Sequence, residues 1–346
     1  MKTLKFLTVT ALASLVFISC GDDDDITGND LRVNLYATSN LSGDITAYQI
    51  EDDGDVEVRT LRTIQENTDA EGLYVDSGDD EITVVSRSNK NLNTFDSLDR
   101  TDNGDALELE AGSPTILGSP RDLAVSSNIY VVSDNMDVDG DDTTVDNRLW
   151  VFTRNDNTYT LRNVITTDFA VWGIEFVGDN LYAVVDKTNE VALFSNFSSN
   201  FIMTGPAAPT KRVAIEGITR THGIGFDGGT MVLTDIGEAS GDVSPNFNTD
   251  GGFHIINDFQ AKFSAVENGG TLAVAGNQVR VAGSNTFLGN PVSVDYDADG
   301  NTVYIAERAN SGGRILAFTN VSTGGNIAPN LNNILSGASS VVFSED

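Results

Sequence analysis

The sequence predicts an all-β protein, a six-bladed β-propeller, and three observations carry that expectation. No stretch beyond the N-terminus keeps apolar residues on a 3.6-residue period over three turns. Instead, short runs of Val, Ile, Leu, Tyr and Phe are bounded by Gly, Asn, Asp and Ser, the pattern of short antiparallel strands. One three-strand unit recurs along the chain at nearly even spacing, and a split copy occupies the two ends.

Residues 1–19 read as a signal peptide. Lys2 and Lys5 form a basic start, and Leu7 to Ile18 is apolar apart from Thr8 and Thr10. That core is shorter than the roughly 20 residues a helix needs to cross a bilayer, and it suits a cleavable signal. Phe17-Ile18-Ser19-Cys20 resembles a bacterial lipobox, with Phe17 where Leu is usual. Cys20 is the only cysteine, so it is the expected lipidation site, with a plain buried thiol as the competing reading. Lipidation leaves the mature domain without any disulfide, and its stability must come from its core.

Residues 20–30 read as a tether. Gly21 is followed by Asp22 to Asp25, and a run of like charges stays solvated. An acidic run behind the lipid cysteine resembles the surface-export tag of Bacteroidota lipoproteins. The resemblance implies an outer-membrane, lipid-anchored protein at the cell surface, with the periplasmic face as the other option.

Residues 31–346 hold the repeat. Its clearest copy is Trp172 to Phe176, Asn180 to Asp186, then Glu190 to Phe194. Others begin at Arg121, His222 and Val292, and a weaker one at Glu71. Ser339 to Phe343 is a first strand with nothing after it, while Val33 to Ser39 and Asp44 to Tyr48 are second and third strands without a first. Joined, they make a sixth blade and close the ring. From Gly72 to Asp122, Gly173, Gly223, Ser293 and Ser340 the steps are 50, 51, 50, 70 and 47 residues, so one unit carries an insertion. Closure covers blade faces that a lone sheet would leave exposed.

The segment Asp297 to Glu307 is similar to the hairpin of NHL-repeat and lactonase-type propellers, and Leu35 to Ser39 with Ile45 to Tyr48 resembles their opening blade. This resemblance implies the fold over nearly the whole mature chain. It leaves function open among binding modules, scaffolds and hydrolases.

Charge narrows the partners. The formal net charge is −31, and loss of Lys2 and Lys5 brings it to −33. Such a surface repels phosphate backbones, so nucleic acid is not an expected partner.

A propeller gathers the starts of its first strands and the ends of its second strands on one rim. The expected channel-rim binding residues are Glu71, Arg121, Asp122, Trp172, Asp186, His222, Asp235 and Glu307. The competing reading is structural: Asp134, Asp186 and Asp235 recur at what looks like one place in the repeat, and a strand-ending Asp often accepts hydrogen bonds from the following turn. After Asp134, the segment from Asn135 to Asp146 resembles a calcium loop, with Asn135, Asp137, Asp139, Asp141 and Asp146 as candidate ligands for Ca2+. A solvated acidic loop is the alternative. Asp295, Asp297 and Asp299 show the first half of the same pattern but read as a hairpin turn.

Catalytic constellations are sparse. His222 and His254 are the only histidines, and no cysteine nucleophile, zinc cluster or phosphate loop is present. The leading expectation is a binding or accessory propeller on the outer membrane, beside a membrane-protein complex. The alternative is a divalent-metal-dependent lactonase-like hydrolase with its site in the central channel, where the resemblance implies that Glu71 and Asp122 imitate part of a metal seat. Glycan capture with Trp172 as a stacking platform is a third reading, and core packing of Trp172 between blades is the favoured alternative to it.

Overall fold

The computed structural model describes residues 33–50, 55–64, 67–137, 139–141, 144–238 and 247–345. The expected signal peptide, Cys20 and the tether lie outside these residues. Within them the chain forms six sheets, each built on four antiparallel strands and two of them extended by a fifth.

Blade 1 joins the two ends of the chain. Its inner strand Ala338–Glu345 pairs with Val33–Ser39, followed by Ile45–Ile50 and Val56–Leu61. Blade 2 runs outward through Ala70–Asp76, Glu81–Ser86, Asn91–Asp96 and Glu108–Gly112, and blade 3 through Pro120–Ser126, Ile129–Asp134, Asn147–Asn155 and Thr158–Thr167. Blade 4 is Val171–Val177, Asn180–Val185, Glu190–Phe194 and Lys211–Ile215. Blade 5 is Ile224–Asp227, Thr230–Asp235, Gly252–Ile256 and Val279–Ala282. Blade 6 is Pro291–Asp297, Thr302–Glu307, Arg314–Thr319 and Leu331–Ile334. Each inner strand contacts the inner strand of the next blade, and blade 6 contacts blade 1, so the ring is closed. The long unit holds its insertion inside blade 5, including the helix Phe259–Ala265.

There are six blade interfaces and six hydrophobic clusters, one at each interface. The reason lies in the two-residue period of a strand. In Asn180–Val185, Leu181 and Ala183 pack toward blade 3, whereas Tyr182 and Val184 pack toward blade 5. Middle strands are thus buried on both faces, which explains their unbroken apolar runs. Outer edges are protected by the neighbouring blade: Gly205–Pro206 adds a parallel strand to blade 3, and Thr271–Leu272 adds one to blade 4. Both come from the third-to-fourth strand connection of the next blade, and covering an edge in this way blocks edge-to-edge association.

Near the axis the inner strands converge, and size becomes limiting. A Cβ on Gly173 would fall 2.2 Å from the His222 carbonyl oxygen, and one on Gly72 would fall 2.5 Å from the Leu123 amide nitrogen. The axial channel that remains is a chamber of about 190 Å³ lined by the six inner strands.

Candidate functional site

The recurrent strand-end acids divide into two jobs. In register, Asp134, Asp235 and Glu307 occupy the same place, opposite or next to the start of their inner strands. Each is almost fully buried and closes the loop that leads into its own blade. Asp134 accepts from the amides of Gly118 (2.6 Å), Ser119 (2.8 Å) and Met136 (3.0 Å) and from Trp150 Nε1 (3.0 Å). Asp235 accepts from Thr219, Arg220 and Gly237, and Glu307 from Gly289, Asn290, Ala309 and Asn310. These bonds make all three acids loop supports, and Asp235 turns its Oδ2 to Arg280 at 3.5 Å.

Asp186 is different, which corrects the expectation that it shares their place. Val185 pairs with Val171, as Asp134 pairs with Pro120, so Asp186 stands one residue further on. That next position is occupied by Arg87 in blade 2 and by Arg308 in blade 6. All three anchor through the same backbone bond: the amides of Asp186, Arg87 and Arg308 donate to Ala170, Asp69 and Asn290. The shared Tyr-to-Asp spacing in blades 3 and 4 hid this offset, because Tyr182 aligns with Val131 and not with Tyr130.

Around the mouth the expected residues Glu71, Arg121, Trp172, His222 and Asp186 form one contact chain. Glu71 Oε1 lies 3.3 Å from Arg87 Nη1 and 3.7 Å from Arg121 Nη1. The Arg121 guanidinium sits 4.4 Å from the centre of the Trp172 ring. His222 stacks on the indole with centroids 3.8 Å apart and planes 4° from parallel. His222 Nε2 meets Asp186 Oδ1 at 3.0 Å, and Arg220 Nε donates to the same oxygen at 2.8 Å. Two groups this close to one indole must lie on opposite faces, so both faces are covered. Trp172 is therefore packed between Arg121 and His222, the packing reading favoured for it from the sequence.

Burial tunes these charges. It pushes His222 down to about 4, outweighing the help of Asp186, so the ring is neutral at pH 7 and donates from Nε2. Burial alone would raise Asp186; the His222 bond and the Arg220 charge overcome it and hold the carboxyl at about 2. Burial drives Glu71 up to about 7, against the opposing charges of Arg121, Arg87 and Arg308 and with a smaller push from Asp69. Arg121 is lowered by burial first and by the like charge of Arg87 next. Arg87 is legible in the sequence as a strand-end residue of the rim, whereas Arg220, Arg308 and the carboxylate Asp69 were missed as site residues. The signal was present: Arg87 and Arg308 follow their second strands at equivalent places in the repeat.

Asp122 faces the channel waist. Its oxygens accept from the amides of Leu123 and Ile174, both at 2.9 Å, and the second bond crosses to the next blade. Asp295 does the same between blades 6 and 1, accepting from Tyr296 and Phe343 at 2.8 Å. These carboxylates cap amides on the free inner edge of a neighbouring strand, an edge with no further strand to pair with. Glu175 lines the same chamber. Burial raises Asp122 to about 7, Asp295 to about 6 and Glu175 well above its ordinary range, and Asp295 and Asp122 add to the last. Glu71 held by arginines and Asp122 held by amides do not converge, so they do not fit the metal seat that the lactonase resemblance implied.

In the loop after Asp134, carboxylate oxygens of Asp137, Asp139 and Asp146 lie within 4.8 Å of one another, the only such group among the described residues. Asp137 accepts from the amides of Asp139 and Gly140, and Asp139 from that of Asp141. Asn135 and Asp141 are outside the triplet. The loop lies beside Asp186 and Lys187.

No family model matches the chain, and no curated protein sequence matches it. Solved structures do. A chain of the nidogen/laminin complex aligns with TM-score 0.60 and 13% identity, over 90% of this chain and 98% of that one. A putative 6-phosphogluconolactonase from Bacteroides fragilis aligns with TM-score 0.57 and 12% identity, over 92% and 100%. One from Bacteroides uniformis aligns with TM-score 0.57 and 12% identity, over 91% and 100%. At these identities the likeness establishes the propeller fold, and that fold serves unrelated functions.

Proposed function

We propose that this protein is a non-enzymatic binding propeller, held at the outer membrane by a lipid on Cys20, that takes its ligand or membrane-complex partner at the channel mouth. One observation carries the placement. Arg87 Nε, Arg121 Nε, His222 Nδ1, Thr221 Oγ1, Asp69 Oδ1 and Asn290 Oδ1 are all buried and without a hydrogen-bond partner, and all belong to the same rim. Buried polar atoms are satisfied in more than about nine cases in ten, and six of the eleven unpartnered ones among the described residues lie here, which supports a surface completed from outside. The Asp137, Asp139 and Asp146 triplet, beside that rim, is the proposed Ca2+ seat; hard carboxylate oxygens are its natural ligands.

The test is purification of the full-length lipidated protein from its own membrane in mild detergent with calcium, beside an Arg121→Ala variant. A stoichiometric partner or small molecule held by the wild type and lost from the variant supports the reading. Recovery of the wild type alone in every preparation overturns it.

Lactone hydrolysis is the second reading. It is favoured by the fold likeness to two putative 6-phosphogluconolactonases and by a buried carboxyl, Glu71, pushed up to about 7, where a general base works best. Turnover of 6-phosphogluconolactone that disappears in Glu71→Gln would establish it.

A further inference from the structure

One arc of the mouth gathers arginines on a strongly acidic protein. Its contact chain sets four guanidiniums, Arg87, Arg121, Arg220 and Arg308, against three carboxylates, Asp69, Glu71 and Asp186, while the whole chain carries −31. Asp186 is committed to Arg220 and His222. Asp69 binds Arg87 at 3.2 Å. Arg87, Arg121 and Arg308 act on both Asp69 and Glu71, and Glu71 is the more buried counter-ion, with only 3% of its side chain exposed. Arg308 is braced at the edge of this group: with the Asn40 amide donating to the Gly337 carbonyl (3.1 Å), the Asn40 oxygen accepts from Arg308 Nη1 (3.2 Å).

Resting on the mouth as the binding seat, we infer that it takes an oxyanion, a phosphate or carboxylate group of a small molecule, on Arg87, Arg121 and Arg308, and that Glu71 takes up one proton from water as the anion replaces it as their counter-ion. Three features select an oxyanion. Guanidinium forks match phosphate and carboxylate geometry. The Nε donors of Arg87 and Arg121 are buried without acceptors. The waist below is lined by Asp122, Glu175 and Asp295 and by no Lys or Arg, so the cations that would hold an anion stop at the entrance.

Glu71 is set for the exchange. The groups facing it are Asp69 from the preceding loop, Arg87 from its own blade, Arg121 from blade 3 and Arg308 from blade 6. With these in place its carboxyl sits at about 7, and a second anion in the same cage raises it further. Below pH 7 the proton is already present and binding is strongest. Above pH 7 binding must take the proton up, so affinity falls about tenfold per pH unit.

The experiment is calorimetric titration of the full mature chain with sulfate, a tetrahedral stand-in for phosphate, and with oxalate, a planar dicarboxylate. Both keep their charge between pH 6 and 8. Glucose is the neutral control, and two buffers of different ionisation enthalpy count protons. At least one anion should bind, with uptake approaching one proton at pH 8 and about tenfold weaker affinity at pH 8 than at pH 6. Glu71→Gln should remove both effects. Arg121→Gln and the more peripheral Arg308→Gln should each weaken binding tenfold or more, and preference between the two anions tells phosphate from carboxylate. Failure of both anions to bind, binding unchanged in both arginine variants, or binding with no proton uptake would overturn the inference. If both anions fail while a partner or small molecule still copurifies through Arg121, the mouth remains the seat and only the oxyanion chemistry falls.

Discussion

His222 lies flat on Trp172, 3.8 Å away and 4° from parallel, and this stack joins blade 5 to blade 4 at the channel mouth. The same histidine passes its Nε2 bond to Asp186, so one neutral ring couples an aromatic contact to a carboxylate already held by Arg220.

That neutrality predicts an acid sensitivity. His222 has a folded value of about 4, below its unfolded value near 6.5. Unfolded chains therefore bind the proton first as pH falls. The stabilisation is full above about pH 6.5 and is lost down to about pH 4, by at most about 3 kcal/mol. Denaturant melts of wild type and His222→Gln should show the wild type losing more stability across that window.

Asp134 predicts a large structural loss. Removing its carboxylate strands three loop amides and the Trp150 indole N–H in a buried site. Asp134→Ala should cost about 3–5 kcal/mol, with a shift in Trp150 emission. Asp139→Ala, on the exposed loop, should cost less than about 0.5 kcal/mol without calcium. Equal losses in the two variants would contradict the loop-support role.

Calcium provides a separate readout. If the triplet takes the ion, calcium at ten times its dissociation constant should add about 1.4 kcal/mol to stability. Asp139→Ala and Asp146→Ala should abolish the gain, whereas Asp299→Ala, in the hairpin turn, should leave it intact. No calcium-dependent shift in the wild type would leave the loop as a solvated acidic turn.

The waist predicts the opposite pH trend from His222. Asp122, Asp295 and Glu175 are all raised in the folded protein, so the folded state holds more protons. Their stabilisation is complete below about pH 4 and is lost as pH rises through about 6 to 7. Wild type should melt lower at pH 8 than at pH 5.5. Glu175→Gln removes one of these titrating carboxyls without changing shape, so it should flatten the decline. An unchanged profile would mean that water in the channel solvates the group fully.

Much of the architecture was legible in the chain because it is local and repeated. Short unbroken apolar runs such as Leu181 to Val185 mark strands buried on both faces, even spacing gives the blade count, and the unmatched ends Val33–Ser39 and Ala338–Glu345 give the closure. The 70-residue step was legible as an insertion within one blade. The site was legible only in part. Glu71, Arg121, Trp172 and His222 share a repeat position and do meet at the mouth. Asp235 and Glu307 share a position too, yet they point their oxygens at turn amides.

By itself, then, the sequence determined the strands, their number and the ring they close, since these follow from periodicity and from the need to bury both faces of each sheet. Tertiary structure alone decided which acid does what. Asp134 and Asp186 stand at the same spacing from a tyrosine, but cross-strand register sets them one residue apart, and one residue separates a buried loop support from a group facing the mouth. It also decided that Arg87, Arg121 and Arg308, from three different blades, share Asp69 and Glu71 as counter-ions. Charges brought together by ring closure act through space and burial, and neither is written in the order of the residues.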